Sequence, residues 1–261
     1  MPKVHINQDD QDNHSKRLLK VIDLWGETIP EEAIYRARRA YFGSCSFVDH
    51  QLGKLFDVLA DCKLDNDTII VFSGDHGDML GERGLWYKMS WFEMSARVPL
   101  IIHYPTWFQP RRVPDAVSLI DLLPTFVDLA GGNQLDIVSP IDGRSLYGYL
   151  LGLNPGKDET YGEYMGEGTI SPIVMIRREE FKFIYCLYDE PQLYDLVNDP
   201  NELKNLVHSK RLEHKAACEL FTLEVEEKWD LQKIHEEVQA SQRRRLLCWE
   251  ALKIGEFCSL L

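Results

Sequence analysis

No apolar run in this 261-residue chain is long enough to cross a membrane. The best, Val98 to Ile102, stops at His103, whereas a spanning helix needs roughly 18 consecutive apolar residues. Met1 to Lys20 is polar and mixed in charge, with no apolar block ahead of a small-residue cleavage site. No secretory signal is therefore expected, and the compartment this predicts for a soluble chain is the cytoplasm. Paired cysteines are missing as well. Cys45, Cys62, Cys186, Cys218, Cys248 and Cys258 are scattered, and no pair has the two-residue gap of a zinc or dithiol motif, so they read as reduced thiols. Positive charge is scarce: 29 Lys plus Arg stand against 42 Asp plus Glu, and the net −13 repels phosphate backbones and anionic lipid. Neither nucleic acid nor a membrane is an expected partner. Repeats and low-complexity tracts are also absent, and a composition of 44% hydrophobic and 27% charged residues is that of a folded domain, not a disordered or fibrous chain.

Met1 to Gly26 lacks a sustained apolar period and reads as a loop. Thr28 and Glu31 make a capping-box pattern with Pro30 in the first turn. Ile34, Ala37, Tyr41, Cys45, Val48, Leu52, Leu55 and Leu59 then recur at steps of three and four, which predicts a long amphipathic helix. After a polar turn at Leu64 to Asp67, Thr68 to Phe72 is continuously apolar and β-branched, as in a parallel strand buried on both faces. Val98 to His103 predicts another buried strand and Val117 to Ile120 a short one. A helix follows from Asp121 and stops at Gly131 and Gly132. Alternating helix and strand is α/β architecture. Beyond Gly152, Ile173 to Arg177, Lys182 to Cys186 and Gln192 to Leu196 predict a small antiparallel sheet, and from Ser209 the spacing is helical. The expected divisions are residues 1–152, 153–208 and 209–261.

Chemistry is concentrated at Ser73 to Asp78, SGDHGD, at the carboxyl end of the predicted buried strand, where ligands of open α/β sheets bind. Asp75, His76 and Asp78 offer carboxylate and imidazole groups suited to a divalent cation. The plainer reading is a tight Gly–Asp turn after a strand. Trp86, Tyr87, Trp91 and Phe92 are more readily core residues than the wall of a pocket, and His50 and His103 read as structural or surface histidines. Arg243 to Arg245 fits a solvated helix face or an oligomer contact.

The stretch from Ser73, SGDHGDMLGERGLWYKMSWFEMSARVPL, resembles the second signature region of sulfatases in the alkaline phosphatase superfamily. Arg39 to Asp49, RAYFGSCSFVD, resembles the helix before that region, and Leu193 to Leu206, LYDLVNDPNELKNL, resembles a C-terminal sulfatase segment. Lys228 to Gly255 is similar to an extension found in the choline sulfatase branch. The resemblance implies an alkaline-phosphatase-like α/β sandwich, a mixed and mostly parallel sheet flanked by helices, with a small C-terminal antiparallel-sheet and helix region. It also implies hydrolysis of a small sulfate ester such as choline sulfate. Asp75 and His76 fall on metal ligands, with calcium the implied ion, Lys88 falls on a sulfate-contacting lysine, and Glu163 or Glu167 falls on an acidic residue directed at the substrate's quaternary ammonium.

Family members also carry a CxPxR sequence whose first residue becomes the formylglycine nucleophile. None of the six cysteines begins one; Cys45, Cys62 and Cys186 give CSFVD, CKLDN and CLYDE. The expectation is therefore a truncated or split chain with half an active site, inactive alone, pairing with a full-length relative or forming a homo-oligomer. Two other readings stay open: a non-catalytic interaction module, and a phosphomonoester or phosphonate hydrolase of the same superfamily.

Overall fold

The computed structural model describes residues 1–133, 138, 140–153 and 156–258, with side chains to Lys253. Its centre is a four-stranded antiparallel sheet, and the reason lies in the alternation of its apolar residues. In β4 (Ile173–Arg178) the consecutive apolar residues Ile173 to Ile176 part to opposite faces, as the period of two requires. Ile173 and Met175 meet Leu19, Met79, Leu85 and Phe92 on one side. Val174 and Ile176 meet Leu193, Leu206, Phe221 and Val225 on the other. β5 (Phe181–Cys186) repeats the pattern, Ile184 and Cys186 facing the first cluster and Phe183 the second. The sheet order is β3 (Glu159–Tyr164), β4, β5, β6 (Gln192–Asp195), all antiparallel.

Helices α6 (Leu212–Lys228) and α7 (Leu231–Cys258) cover the second face. The first face is covered by the segment that follows SGDHGD, together with α1 (Asn13–Val21). The signature loop is thus seated on the sheet of the C-terminal half.

Elsewhere the structure corrects the sequence reading. Met1 to Gly26 contains α1, whose start is fixed by Asp12: its carboxylate accepts from Ser15 N at 3.0 Å and Ser15 Oγ at 2.5 Å. Its buried face, His14, Ser15, Leu18 and Leu19, mixes polar with apolar residues, which hides the helical period. The predicted long helix is α2 (Glu31–Asp61), but it starts after Pro30 with no side-chain cap, so the Thr28–Glu31 box does not form. Two strands expected in a mostly parallel sheet, β1 (Ile70–Ser73) and β2 (Leu100–His103), pair antiparallel with Ile70 opposite His103 and Ser73 opposite Leu100. The chain between them doubles back, with Gly77 N donating to Ser95 O at 2.7 Å, in place of the crossover a parallel pair needs. β1 is half-buried, not enclosed on both faces, and among the described residues no parallel pair occurs.

Val117 to Ile120 is not a strand. Asp121 forms a capping box with Ser118 and also accepts from Arg144 N at 2.9 Å, turning the chain into a 3₁₀ turn and then α4 (Leu122–Leu129). β3 was not foreseen, because ETYGEY offers little apolar signal. It is held instead by Trp91, whose ring lies so close over Gly162 that a Cβ there would sit 2.3 Å from it. Two further short helices, α3 (Glu93–Ala96) and α5 (Tyr147–Leu150), complete the α-helices among the described residues.

Candidate active site

β1 delivers the chain into the site at Ser73, and the turn that follows depends on glycine. At Gly77 a Cβ would meet Met94 O at 2.1 Å, so only a residue without one fits beside α3. Beyond it the backbone is strained: Leu80 (φ 47°), Arg83 (φ 59°), Tyr87 (φ 64°) and Met89 (φ 78°) are non-glycine residues in the left-handed region. Side chains and neighbouring segments hold them there. Glu82 accepts from Lys3 N at 2.8 Å, Val4 N at 3.0 Å and Arg38 Nη1 at 3.2 Å, so the N-terminus and α2 are both fastened to this loop. Arg83 lies 3.9 Å over the Phe92 ring and donates to the carbonyl of Glu202. Met79 N donates to Tyr87 O at 2.7 Å.

Lys88 sits between two of those strained residues, on the exposed surface. Its Nζ is 2.8 Å from Nε2 of His76. His76 Nδ1 lies 2.7 Å from Gly77 O, so it carries the proton it donates there, and Nε2 is left with a lone pair that Lys88 engages. Asp75 Oδ2 is 3.3 Å from the same Nε2, and the Asp75 side chain is 86% exposed. Hydrogen bonds from its own amide and that of His76, then the charge of Lys88, hold the Asp75 carboxyl below the ordinary range. The three residues therefore form one exposed cluster of a carboxylate, an imidazole and an ammonium.

The two candidate acidic residues separate. Glu163 lies in β3 and its Oε1 accepts from Trp229 Nε1 at 2.6 Å, which commits it to the C-terminal helices. Glu167 lies in the turn after β3 and accepts from Tyr164 Oη at 2.9 Å. Its carboxyl is held low by its own backbone amide and by Tyr164, and Lys88 adds to the shift, which places Glu167 within the field of the lysine. Burial and this carboxylate push the Tyr164 hydroxyl well up. Of the aromatic residues, Phe92 is buried in the core, Trp91 packs beside it, and Tyr87 is exposed next to Lys88.

Three residues that sequence reasoning passed over tie the site together. His14, buried on α1, places Nε2 at 2.6 Å from Met89 O and Nδ1 at 3.3 Å from Gly168 O, bridging the residue after Lys88 and the residue after Glu167. Lys182, buried in β5, donates to Trp91 O at 2.8 Å and pairs with Glu202 at 2.9 Å and Glu93 at 2.5 Å. Glu202 in turn accepts from Glu93 N at 2.7 Å. The β5 alternation that puts Ile184 and Cys186 on the loop side puts Lys182 there too, which is a legible signal for its direction. His14 carries none.

Asp75 and His76 suit a divalent cation in kind, and the Nδ1 hydrogen bond of His76 is the usual support of a ligating imidazole. They do not suffice in number. Among the described residues no three His, Cys, Asp or Glu side chains converge as a metal site, and Lys88 already takes the His76 lone pair.

Comparison with known proteins agrees with an α/β fold of helices and sheets. The Sulfatase family model matches residues 3–132, and that of N-sulphoglucosamine sulphohydrolase, C-terminal, matches residues 81–229. The choline-sulfatase of Rhizobium meliloti is 39% identical over 250 residues, covering 95% of this chain and 48% of the relative. The arylsulfatase of Clostridium perfringens is 29% identical, covering 80% of this chain and 43% of that protein. Among solved structures, the phosphonate monoester hydrolase of Agrobacterium radiobacter superposes with a TM-score of 0.68 at 27% identity, covering 79% of this chain and 43% of that one. The chain spans about half the length of the curated relatives it matches. With one family model alone spanning more than half of its residues, this chain belongs to the sulfatase family.

Proposed function

We propose that this chain supplies the C-terminal half of the active site of a sulfuric ester hydrolase, with choline sulfate as substrate and choline and sulfate as products. The observation that carries the reading is the cluster of Lys88, His76 and Asp75 on a loop fixed to the sheet that also presents Glu167. Lys88 is assigned to the ester or leaving oxygen, where a positive charge stabilises the developing negative one. Glu167, braced by Tyr164, is assigned to the quaternary ammonium, since a carboxylate beside an aromatic ring suits that cation; Glu163 is spoken for by Trp229. Asp75 and His76 are assigned as two ligands of a calcium ion completed by groups outside these residues. Such an ion, when bound, would neutralise charge on the sulfate oxygens.

The fold assignment that goes with this is an alkaline-phosphatase-like sandwich in which β1 and β2 join a larger, mostly parallel sheet. Among the described residues no helix is long and apolar enough to cross a membrane.

The formylglycine nucleophile of the family has no CxPxR sequence here to form it, so the 261-residue chain alone is expected to release no sulfate from choline sulfate or an aryl sulfate. Co-expressed with the part of the Rhizobium meliloti choline-sulfatase that lies outside the match, it should hydrolyse choline sulfate in preference to an aryl sulfate, and Glu167→Gln should raise KM for choline sulfate selectively. Turnover by the lone chain that Asp75→Ala abolishes would overturn the reading. So would a preference of the pair for a phosphonate monoester, the reading that the Agrobacterium radiobacter neighbour favours.

A further inference from the structure

Among the described residues the Glu167 carboxylate bonds only to its own amide and to Tyr164, three residues earlier. Thr169 closes the same turn, donating its N at 3.3 Å and its Oγ1 at 2.7 Å to Gly166 O. These bonds give the turn its shape but not its place. The place is set by α1. Gly168, at φ 77°, lies so close to that helix that a Cβ would stand 2.8 Å from Leu18 Cδ2 and 3.4 Å from His14 Cε1. Its carbonyl accepts from Arg17 Nε at 2.6 Å.

Arg17 is itself held from the other side. Nη1 donates to Asp189 Oδ1 at 3.0 Å and Nη2 to Asp189 Oδ2, in the turn between β5 and β6, where the Asp189 side chain is 9% exposed. All three guanidinium nitrogens are thus committed to two groups in fixed directions, which a lysine ammonium cannot reproduce. Nor is Arg17 what seats the helix: Leu18 and Leu19 are buried and Asp12 caps the first turn. His14 reaches both Met89 O and Gly168 O, whereas Arg17 touches only the Glu167 side. Its charge is matched by Asp189, and the cation acting on the Glu167 carboxyl is Lys88. What Arg17 governs is the position of a carbonyl one residue from Glu167.

We propose that Arg17, braced by Asp189, is a positioning residue for substrate selection: by holding Gly168 O it aims Glu167, and so favours an ester of a cationic alcohol over an ester of an uncharged one. This rests on the hydrolase reading above and adds the side chain that sets its discrimination. The groups assigned to the sulfate end, Lys88, His76 and Asp75, lie on the signature loop, which Arg17 does not touch. Its loss should therefore weaken binding of the quaternary ammonium and leave the step at sulfur alone.

Arg17→Met by itself would strand the Asp189 carboxylate in a buried place, so it is combined with Asp189→Asn. Gly168→Ala is a second route, pushing the turn off α1 without altering any charge. In the 261-residue chain alone, hydrogen exchange over 165–170 should quicken at least tenfold in both variants, with the signature loop at 86–92 unchanged. In the pair with the unmatched part of the Rhizobium meliloti choline-sulfatase, both should raise KM for choline sulfate about tenfold, with kcat for that ester and both constants for an aryl sulfate within about twofold. Arg17→Lys, with Asp189 in place, should recover part of the loss. Unchanged exchange at 165–170, or equal KM rises for the two esters, would overturn the proposal and leave the hydrolase reading standing. A wild-type pair that hydrolyses neither ester would overturn that reading, and the selection role with it.

Discussion

Lys182 Nζ lies 2.9 Å from Glu202 Oε1, and both side chains are almost wholly withdrawn from water. The lysine belongs to β5, the glutamate to the segment LYDLVNDPNELKNL, and between them they hold Trp91 O and Glu93 at the end of the signature loop. Burial raises the Glu202 carboxyl against the pull of Lys182, so the pair is costly to form and costlier to break.

Removing one partner leaves an uncompensated buried charge. Lys182→Met and Glu202→Leu alone are each expected to destabilise the chain by about 3–5 kcal/mol. Combined, they should recover most of that loss. Urea unfolding of the two single variants and the double variant measures the coupling; additive losses would show the pair to be energetically independent.

His14→Ala is expected to loosen the Lys88 and Glu167 segments together, since it removes the bridge from Met89 O to Gly168 O. Loss of a buried hydrogen-bond partner costs about 1–3 kcal/mol. Hydrogen exchange in peptides covering 86–92 and 165–170 should quicken at least tenfold, with α6 unaffected. Equal loss of protection throughout the chain would mean that His14 supports only global stability.

Calcium binding by the lone chain should be weak. Two protein ligands leave most of the six to eight positions to water, which puts the dissociation constant at about 10⁻³ M or higher. Isothermal titration decides this: micromolar binding that Asp75→Ala removes would show the half-site to be more complete than its two ligands suggest.

Tyr149 and Tyr161 are both pushed up to about 12, first by burial and then by their acceptors Asp115 and Glu224. The unfolded chain gives up these protons near pH 10. Their contribution is thus fully present below pH 10 and is lost as pH rises from there toward 12. Urea midpoints should fall across that window, and Tyr161→Phe should make the fall shallower. A midpoint independent of pH from 9 to 12 would contradict the assignment.

What the sequence disclosed tracks how local each cause is. β4, β5 and β6 are written in apolar residues between turns, and the stripe of α2 is visible although nothing described covers it. Orientation was not legible: Thr68 to Phe72 reads as a parallel strand because an apolar run says nothing of its neighbour's direction, which the 73–99 return decides. α1 escaped notice because its buried face holds His14 and Ser15. In the site, Asp75, His76 and Lys88 stand within one motif, and the structure gathers them. Glu163 and Glu167 look alike in GEYMGEG and are told apart only by contacts 66 and three residues away, to Trp229 and Tyr164. Lys182 and Glu202 meet through the sheet, which no spacing announces.

The backbone strain around Lys88 bears on how such a site can be transferred. Leu80, Arg83, Tyr87 and Met89 each hold a conformation that costs about 1–3 kcal/mol in a non-glycine residue, and no local pattern in their sequence repays it. The repayment comes from Lys3, Val4, His14, Arg38 and Glu202, which lie outside the segment. The motif is therefore not portable: GDHGDMLGERGLWYKMS grafted onto another scaffold would carry the residues of the site and relax out of its geometry.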